Sequence, residues 1–334
     1  MMHHLAAAND LVGVRQVVVY SKERTSNLAA TIWYPAGVGG TPVKLGESAF
    51  FVGTGAMLEA PIAQGKYPLI LLSHGAGLGG TPQAMSWIAT PLAKQGFIVA
   101  APTHPGNTGV NRSAAETMKL WLRPADIIAT LDTVQQQSLF KYHLEEGRVG
   151  ILGLSMGGNT ALALAGARID PMRLASYCDT DDRNPSLCEW VRQSGVNLHA
   201  MDMHQAGRDN LEARIKFAMV MDPTPVDVFQ IDSFSKITIP VEIVNLGKSG
   251  TIPQTTLASG VAMAIPKSVY STIKYASHYS MFGECKLGAS ELAGSEGIGE
   301  PICSDGGRLT RIEIHKRLIA MVTEAFSRAL KPTL

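Results

Sequence analysis

At 334 residues the chain is long enough for one large α/β domain carrying an insertion, or for two modest domains. A composition of 46% hydrophobic and 17% charged residues supplies a full core and argues against global disorder. With 29 basic against 28 acidic residues the formal charge is +1, so no global field draws the chain to nucleic acid or to an anionic membrane.

The opening residues, Met1 to Ala8, are too few for a signal peptide and lack its basic head. They fit a native cytoplasmic start or a stub left where a leader was removed. No apolar run approaches the roughly 20 residues a spanning helix needs. Period-2 patterns over residues 14–20 and 28–34 predict an antiparallel hairpin at a sheet edge. A Gly-rich, weakly patterned segment fills residues 37–66.

Short apolar runs then alternate with helix-like stretches. Residues 67–73 end in His74-Gly75-Ala76-Gly77, and residues 97–101 end in Pro102-Thr103-His104-Pro105. Residues 148–154 end at Ser155, residues 215–221 in Asp222-Pro223, residues 241–246 in Gly247, and residues 269–275 near His278. Helical stretches open at Arg123-Pro124-Ala125-Asp126, cover residues 158–167, and close the chain over residues 309–330. This rhythm predicts an α/β fold, a mostly parallel central sheet with helices on both faces. In such sheets the chemistry gathers at the carboxyl ends of the strands, where Ser155, Asp222 and His278 all fall.

Residues 168–214 interrupt the rhythm and predict a cap or lid within a single domain spanning 1–334; a surface excursion is the alternative. Cys178 and Cys188 bracket a polar loop, and Cys285 and Cys303 a Gly-rich one. Pairing within each loop predicts two local disulfides and an oxidising, periplasmic or secreted location; four free thiols in the cytoplasm is the alternative. Neither pair has the spacing of a zinc site.

Gly153-Leu154-Ser155-Met156-Gly157, after an apolar strand and before a small-residue helix, has the form of a nucleophile elbow, the signature of an α/β-hydrolase. Ser155 is then the nucleophile. The oxyanion of an acyl-transfer intermediate needs backbone N–H donors. Met156, directly after the serine, supplies one, and Ala76 in the Gly-rich loop supplies the other. His74 reads as a structural residue beneath that loop. The base must follow in the order serine, acid, histidine; His278 follows the last strand and is the candidate, whereas His315 belongs to the last helix. The turn after residues 241–246 holds no carboxylate, so the acid falls to Asp222 one strand earlier, with Asp227 and Asp232 as fallbacks.

These stretches resemble the platelet-activating-factor acetylhydrolase and bacterial "predicted dienelactone hydrolase" branch of the α/β-hydrolases. The likeness is carried by SHGAG (73–77), GFIVAAPTHPGN (96–107), GLSMGG (153–158), MDPTP (221–225) and ASHYSMF (276–282), and spans roughly residues 20–282. It implies an acid after the same earlier strand, at Asp222, and oxyanion donors at Ala76 and Met156. Cysteines in the insertion and after the histidine are shared with bacterial relatives, which implies export. Two departures matter. Those relatives often keep an aspartate where this chain has Gly250, and dienelactone hydrolases proper use a cysteine where this chain has Ser155. The insertion also differs, so phospholipid specificity is not implied.

The expected activity is hydrolysis of small carboxylic esters of short to medium acyl length, with no metal or cofactor. Amide or peptide cleavage, or acyl transfer, would use the same residues; a non-catalytic lipid- or partner-binding relative is the third possibility. Residues 201–204 and 279–282 are candidates for an apolar acyl pocket, or for simple packing.

Overall fold

The computed structural model describes residues 11–107, 111–180, 182–248, 250–298 and 301–331. The terminal residues 1–8, weighed above as a chain start, and Ser249 in the turn after the Val241–Leu246 strand lie outside them. Strands β1 (Val12–Ser21), β2 (Ser26–Pro35), β3 (Thr41–Leu45), β4 (Thr54–Leu58), β5 (Tyr67–Ser73), β6 (Ile98–Pro102), β7 (Leu144–Leu154), β8 (Ile215–Met221), β9 (Val241–Leu246) and β10 (Ser268–Ile273) form one sheet. Its order is β10-β9-β8-β7-β5-β6-β2-β1-β4-β3. From β10 through β6 every neighbouring pair is parallel. β2 turns antiparallel to β6 and to β1.

The predicted hairpin is present but does not form the edge. Strands β3 and β4, in the weakly patterned segment, extend the sheet beyond it, with β4 parallel to β1 and β3 antiparallel to β4. Their side chains are mostly exposed or half-buried, so they carry little of the alternation by which a strand is read from sequence.

Alternation along the central strands builds two cores. Leu69 and Leu71 of β5, Ile151 of β7 and Val220 of β8 face one side, where they meet helices Leu122–Gln136 and Met156–Ala165. Ile70, Leu72, Leu152, Met219 and Met221 face the other, against helices Ser86–Lys94 and Arg311–Leu330. Burial on both faces explains why these strands read as continuous apolar runs. The last helix opens on a reciprocal cap between Thr310 and Glu313, which satisfies donors that the first turn would leave free.

Cys178 is bonded to Cys188 and Cys285 to Cys303. The first bridge ties the turn after helix Pro171–Ala175 to helix Pro185–Gln193 within the insertion. No helix among the described residues is long and apolar enough to cross a membrane.

Candidate active site

β7 delivers Ser155 at its carboxyl end, where the backbone takes φ 54° and ψ −123° before helix Met156–Ala165 begins. A non-glycine residue rarely adopts a positive φ, and here the surroundings enforce it. Strand and helix approach so closely that a Cβ on Gly153 would lie 2.2 Å from the Gly157 carbonyl oxygen. One on Gly157 would lie 1.8 Å from that of Ser73. The serine is also pinned across strands: its N–H donates to Met221 O at 2.9 Å, and its carbonyl accepts from Thr224 N at 3.1 Å.

Ser155 Oγ stands 3.0 Å from His278 Nε2, and His278 Nδ1 stands 3.1 Å from Asp222 Oδ2. The serine and histidine are half-buried; Asp222 is only 1% exposed. Asp222 follows β8 directly, with φ 42°. Its second oxygen is held by two donors, Leu246 N at 2.7 Å and Asn245 Nδ2 at 2.8 Å. The carboxylate therefore has one oxygen fixed by the end of β9 and the other free to face the imidazole. Asn245 is itself tied down: its Oδ1 accepts from Ala258 N at 2.9 Å and from Tyr270 OH at 3.1 Å. Neither fallback acid takes this place. Asp227 faces Thr255 and Arg183, and Asp232 lies in the short helix Ile231–Phe234.

His278 opens a short 3₁₀ turn, His278–Met281, closed by reciprocal bonds between Ser277 and Ser280. The last helix and Trp87 prop that turn from behind. His315 Nε2 donates to Ser280 O at 3.0 Å, Trp87 Nε1 donates to Met281 O at 2.9 Å, and the two rings stack at 3.9 Å. Burial pushes His315 down to about 4, so its imidazole is neutral at ordinary pH.

The loop after β5 passes beside the serine: a Cβ on Gly75 would lie 3.5 Å from Ser155 Oγ. Beneath it, around His74, sits a buried polar network whose other members the sequence did not announce. His104 N donates to His74 Nε2 at 3.2 Å, which leaves the proton of neutral His74 on Nδ1, donated to Gly75 O at 2.8 Å. That carbonyl belongs to the same peptide unit as the Ala76 N–H, so His74 fixes the orientation of that donor. Arg123, fully buried, donates to His74 O, to Thr160 Oγ1 at 3.0 Å and to Asn107 Oδ1 at 3.2 Å. Asp126 receives Arg24 in a fork at 2.7 and 2.9 Å and faces His104 Nδ1 at 2.8 Å. Burial drives both histidines well below the usual imidazole range, reinforced for His74 by His104 and Arg123 and for His104 by Arg123 and Arg24. Met156 is the first residue of its helix, where a backbone N–H has no partner within the helix.

Ser155 and His278 open into a cleft of about 330 Å³, lined by the 75–79 loop, Met156, Trp190 and Phe282 among others. Leu187 and Trp190 of the insertion form part of its wall. Of the two candidate pocket segments, Tyr279, Met281 and Phe282 line the cleft, whereas residues 201–204 do not. Among the described residues, no group of three or more His, Cys, Asp or Glu side chains is placed to hold a metal ion.

Residues 41–127 match the family model described as platelet-activating factor acetylhydrolase, isoform II. That segment runs from β3 into helix Leu122–Gln136 and includes the Gly75–Ala76 loop and most of the buried network beneath it, though not Arg24 or Thr160. Among solved structures the chain is similar to a ferulic acid esterase from Streptomyces cinnamoneus, at 17% identity and a TM-score of 0.65, covering 98% of this chain and 94% of that one. It is also similar to a dienelactone hydrolase from Anabaena variabilis, at 12% identity and 0.50, covering 95% and 97%. A third is the acylaminoacyl peptidase of Pyrococcus horikoshii, at 12% identity and 0.53, covering 97% of this chain and 42% of that one. At such identities the structural likeness speaks for the fold alone, and the family match is confined to residues 41–127. The chain has the α/β-hydrolase fold, and its residues 41–127 match the platelet-activating factor acetylhydrolase isoform II model.

Proposed function

We propose that this protein is a serine esterase that cleaves small carboxylic esters, of short to medium acyl length, through an acyl-enzyme on Ser155. The observation that carries the reading is the chain of contacts from Ser155 Oγ to His278 Nε2 at 3.0 Å and from His278 Nδ1 to Asp222 Oδ2 at 3.1 Å, on the wall of an open cleft. His278 takes the serine proton as Oγ attacks the ester carbonyl, and the N–H groups of Ala76 and Met156 receive the developing oxyanion. Asp222 holds His278 in the tautomer with the proton on Nδ1 and stabilises the imidazolium. The imidazolium then protonates the departing alcohol, and water repeats the sequence on the acyl-enzyme.

A cleft of about 330 Å³ sits at the small end of ligand sites, which supports a compact substrate. The similar folds include a ferulic acid esterase and a dienelactone hydrolase, which agrees with ester hydrolysis. In this reading residues 168–214 are a cap, since Leu187 and Trp190 close one side of the cleft. The two disulfides favour a periplasmic or secreted protein.

The test is steady-state hydrolysis of p-nitrophenyl butyrate and of the matched p-nitroanilide by wild type and by Ser155→Ala. The expected result is ester cleavage by wild type, far slower anilide cleavage, and a loss of about 10³-fold or more in the variant. Equal rates in wild type and variant would remove Ser155 from the chemistry; a preference for the anilide would make the enzyme an amidase.

A further inference from the structure

We infer that the substrate of this cleft carries an anionic group, held by Arg112 where its guanidinium lies over Trp190; the inference rests on the esterase reading above. The guanidinium carbon of Arg112 is 4.0 Å from the centroid of the Trp190 ring, and both residues line the same cleft as Ser155. Among the described residues lining it, none is Asp or Glu, whereas Arg112, Arg183 and His278 all face it.

The two arginines differ in what balances their charge. Arg183 sits 3.5 Å from Asp227 Oδ2, a carboxylate that also accepts from Thr255 at 3.2 Å. For Arg112 no carboxylate lies within ion-pair distance among the described residues; the tryptophan face is its partner. Some other arginines at the surface do meet acids: Arg168 pairs with Asp209, Arg328 with Glu242, and Arg214 with Glu212 at 2.8 Å. Of the two arginines at the cleft, Arg112 is therefore the one without a carboxylate beside it.

Stacking uses the face of a guanidinium and leaves its N–H donors, which lie in the plane, available at the edge. A planar carboxylate, or a phosphate, accepts two of those donors at once. Trp190 also holds the side chain in place before a ligand arrives, so less ordering is needed on binding. In a cavity of this size the anionic group and the scissile ester must belong to one compact molecule. The anion can lie on the acyl side or on the alcohol side of the ester.

Two matched pairs of esters separate these cases. p-Nitrophenyl butyrate against mono-p-nitrophenyl glutarate places a carboxylate on the acyl side. Phenyl butyrate against 4-carboxyphenyl butyrate places it on the alcohol side. Each pair is measured with wild type, Arg112→Gln, and Arg317→Gln, an exposed residue of the last helix that controls for the change in net charge. The expected result is that Arg112→Gln lowers the charged-to-neutral ratio of kcat/KM about tenfold or more in one pair, chiefly through KM, while Arg317→Gln leaves it unchanged. Raising salt to about 0.5 M should erode the wild-type ratio in the same direction. The pair that responds identifies the side of the ester. Ratios unaffected by Arg112→Gln in both pairs overturn the inference while the esterase reading stands. Cleavage of none of the four esters by wild type overturns both.

Discussion

Asp222 meets His278 from the end of β8, with one carboxylate oxygen 3.1 Å from the ring nitrogen and the other locked by the end of β9. The arrangement gives Asp222→Asn a defined consequence. The asparagine oxygen can still accept from Leu246 N and Asn245, so the fold should survive. Its amide would then face His278 Nδ1 and force the wrong tautomer on the base. Turnover should fall by about 10³- to 10⁴-fold with little change in Tm. Near-full activity in this variant would move the acid elsewhere, with Asp227→Asn and Asp232→Asn as the next measurements.

Asn245→Ala tests the support behind the acid. The variant removes a buried donor to Asp222, a buried acceptor for Ala258 N, and a half-buried acceptor for Tyr270 OH. A loss of about 1–3 kcal/mol in urea unfolding is expected, because those groups lose their partner. kcat should drop as well, with KM for a neutral ester nearly constant. Unchanged stability and kcat would show that Leu246 N alone holds the carboxylate.

The elements that carry this site were largely legible. β5, β8 and β9 are mostly apolar runs because both faces are covered, and their boundaries follow from the pattern. β3 and β4 were not legible, since an edge ribbon that buries few side chains leaves no periodic trace. Asn245 is visible as a polar residue within VEIVNL, but its purpose depends on a carboxylate 23 positions away. Arg123 and Asp126 read only as the opening of a helix. Their burial depends on partners such as Arg24, 102 positions from Asp126, and on His74 and Thr160. Side-chain networks that close through distant segments leave no local spacing to read.

That network gives a stability prediction. Asp126 is fully buried and faces Arg24, His104 and Ser21. Asp126→Asn removes the charge opposite Arg24, whose side chain is only 5% exposed. Breaking a buried pair from one side costs about 3–5 kcal/mol. A loss of that size in the unfolding free energy from urea titration is expected; a loss below measurement error would mean that Glu116 compensates for the lost carboxylate.

Acid should unfold the protein through its buried histidines. Burial pushes His315 from 6.5 down to about 4 in the folded state. An unfolded chain takes up that proton as pH falls below about 6.5, whereas the folded chain resists until about 4. The contribution to stability is therefore full above the unfolded value and lost progressively across that window, by about 3 kcal/mol. His74 and His104 act in the same direction. His315→Gln can keep a donor near Ser280 O without titrating. Its Tm should fall less steeply between about pH 6.5 and 4 than that of wild type. Parallel Tm profiles would show that His315 does not govern acid sensitivity.

The central claim is that Ser155 is the nucleophile of a complete catalytic relay. A fluorophosphonate probe followed by peptide mapping tests it most directly, because the reagent marks an activated serine without requiring the natural substrate. The account predicts a single stoichiometric adduct on the peptide containing Ser155, absent in Ser155→Ala and strongly slowed in His278→Ala. A folded wild-type protein that takes up no label, or takes it up on a different residue, would contradict it.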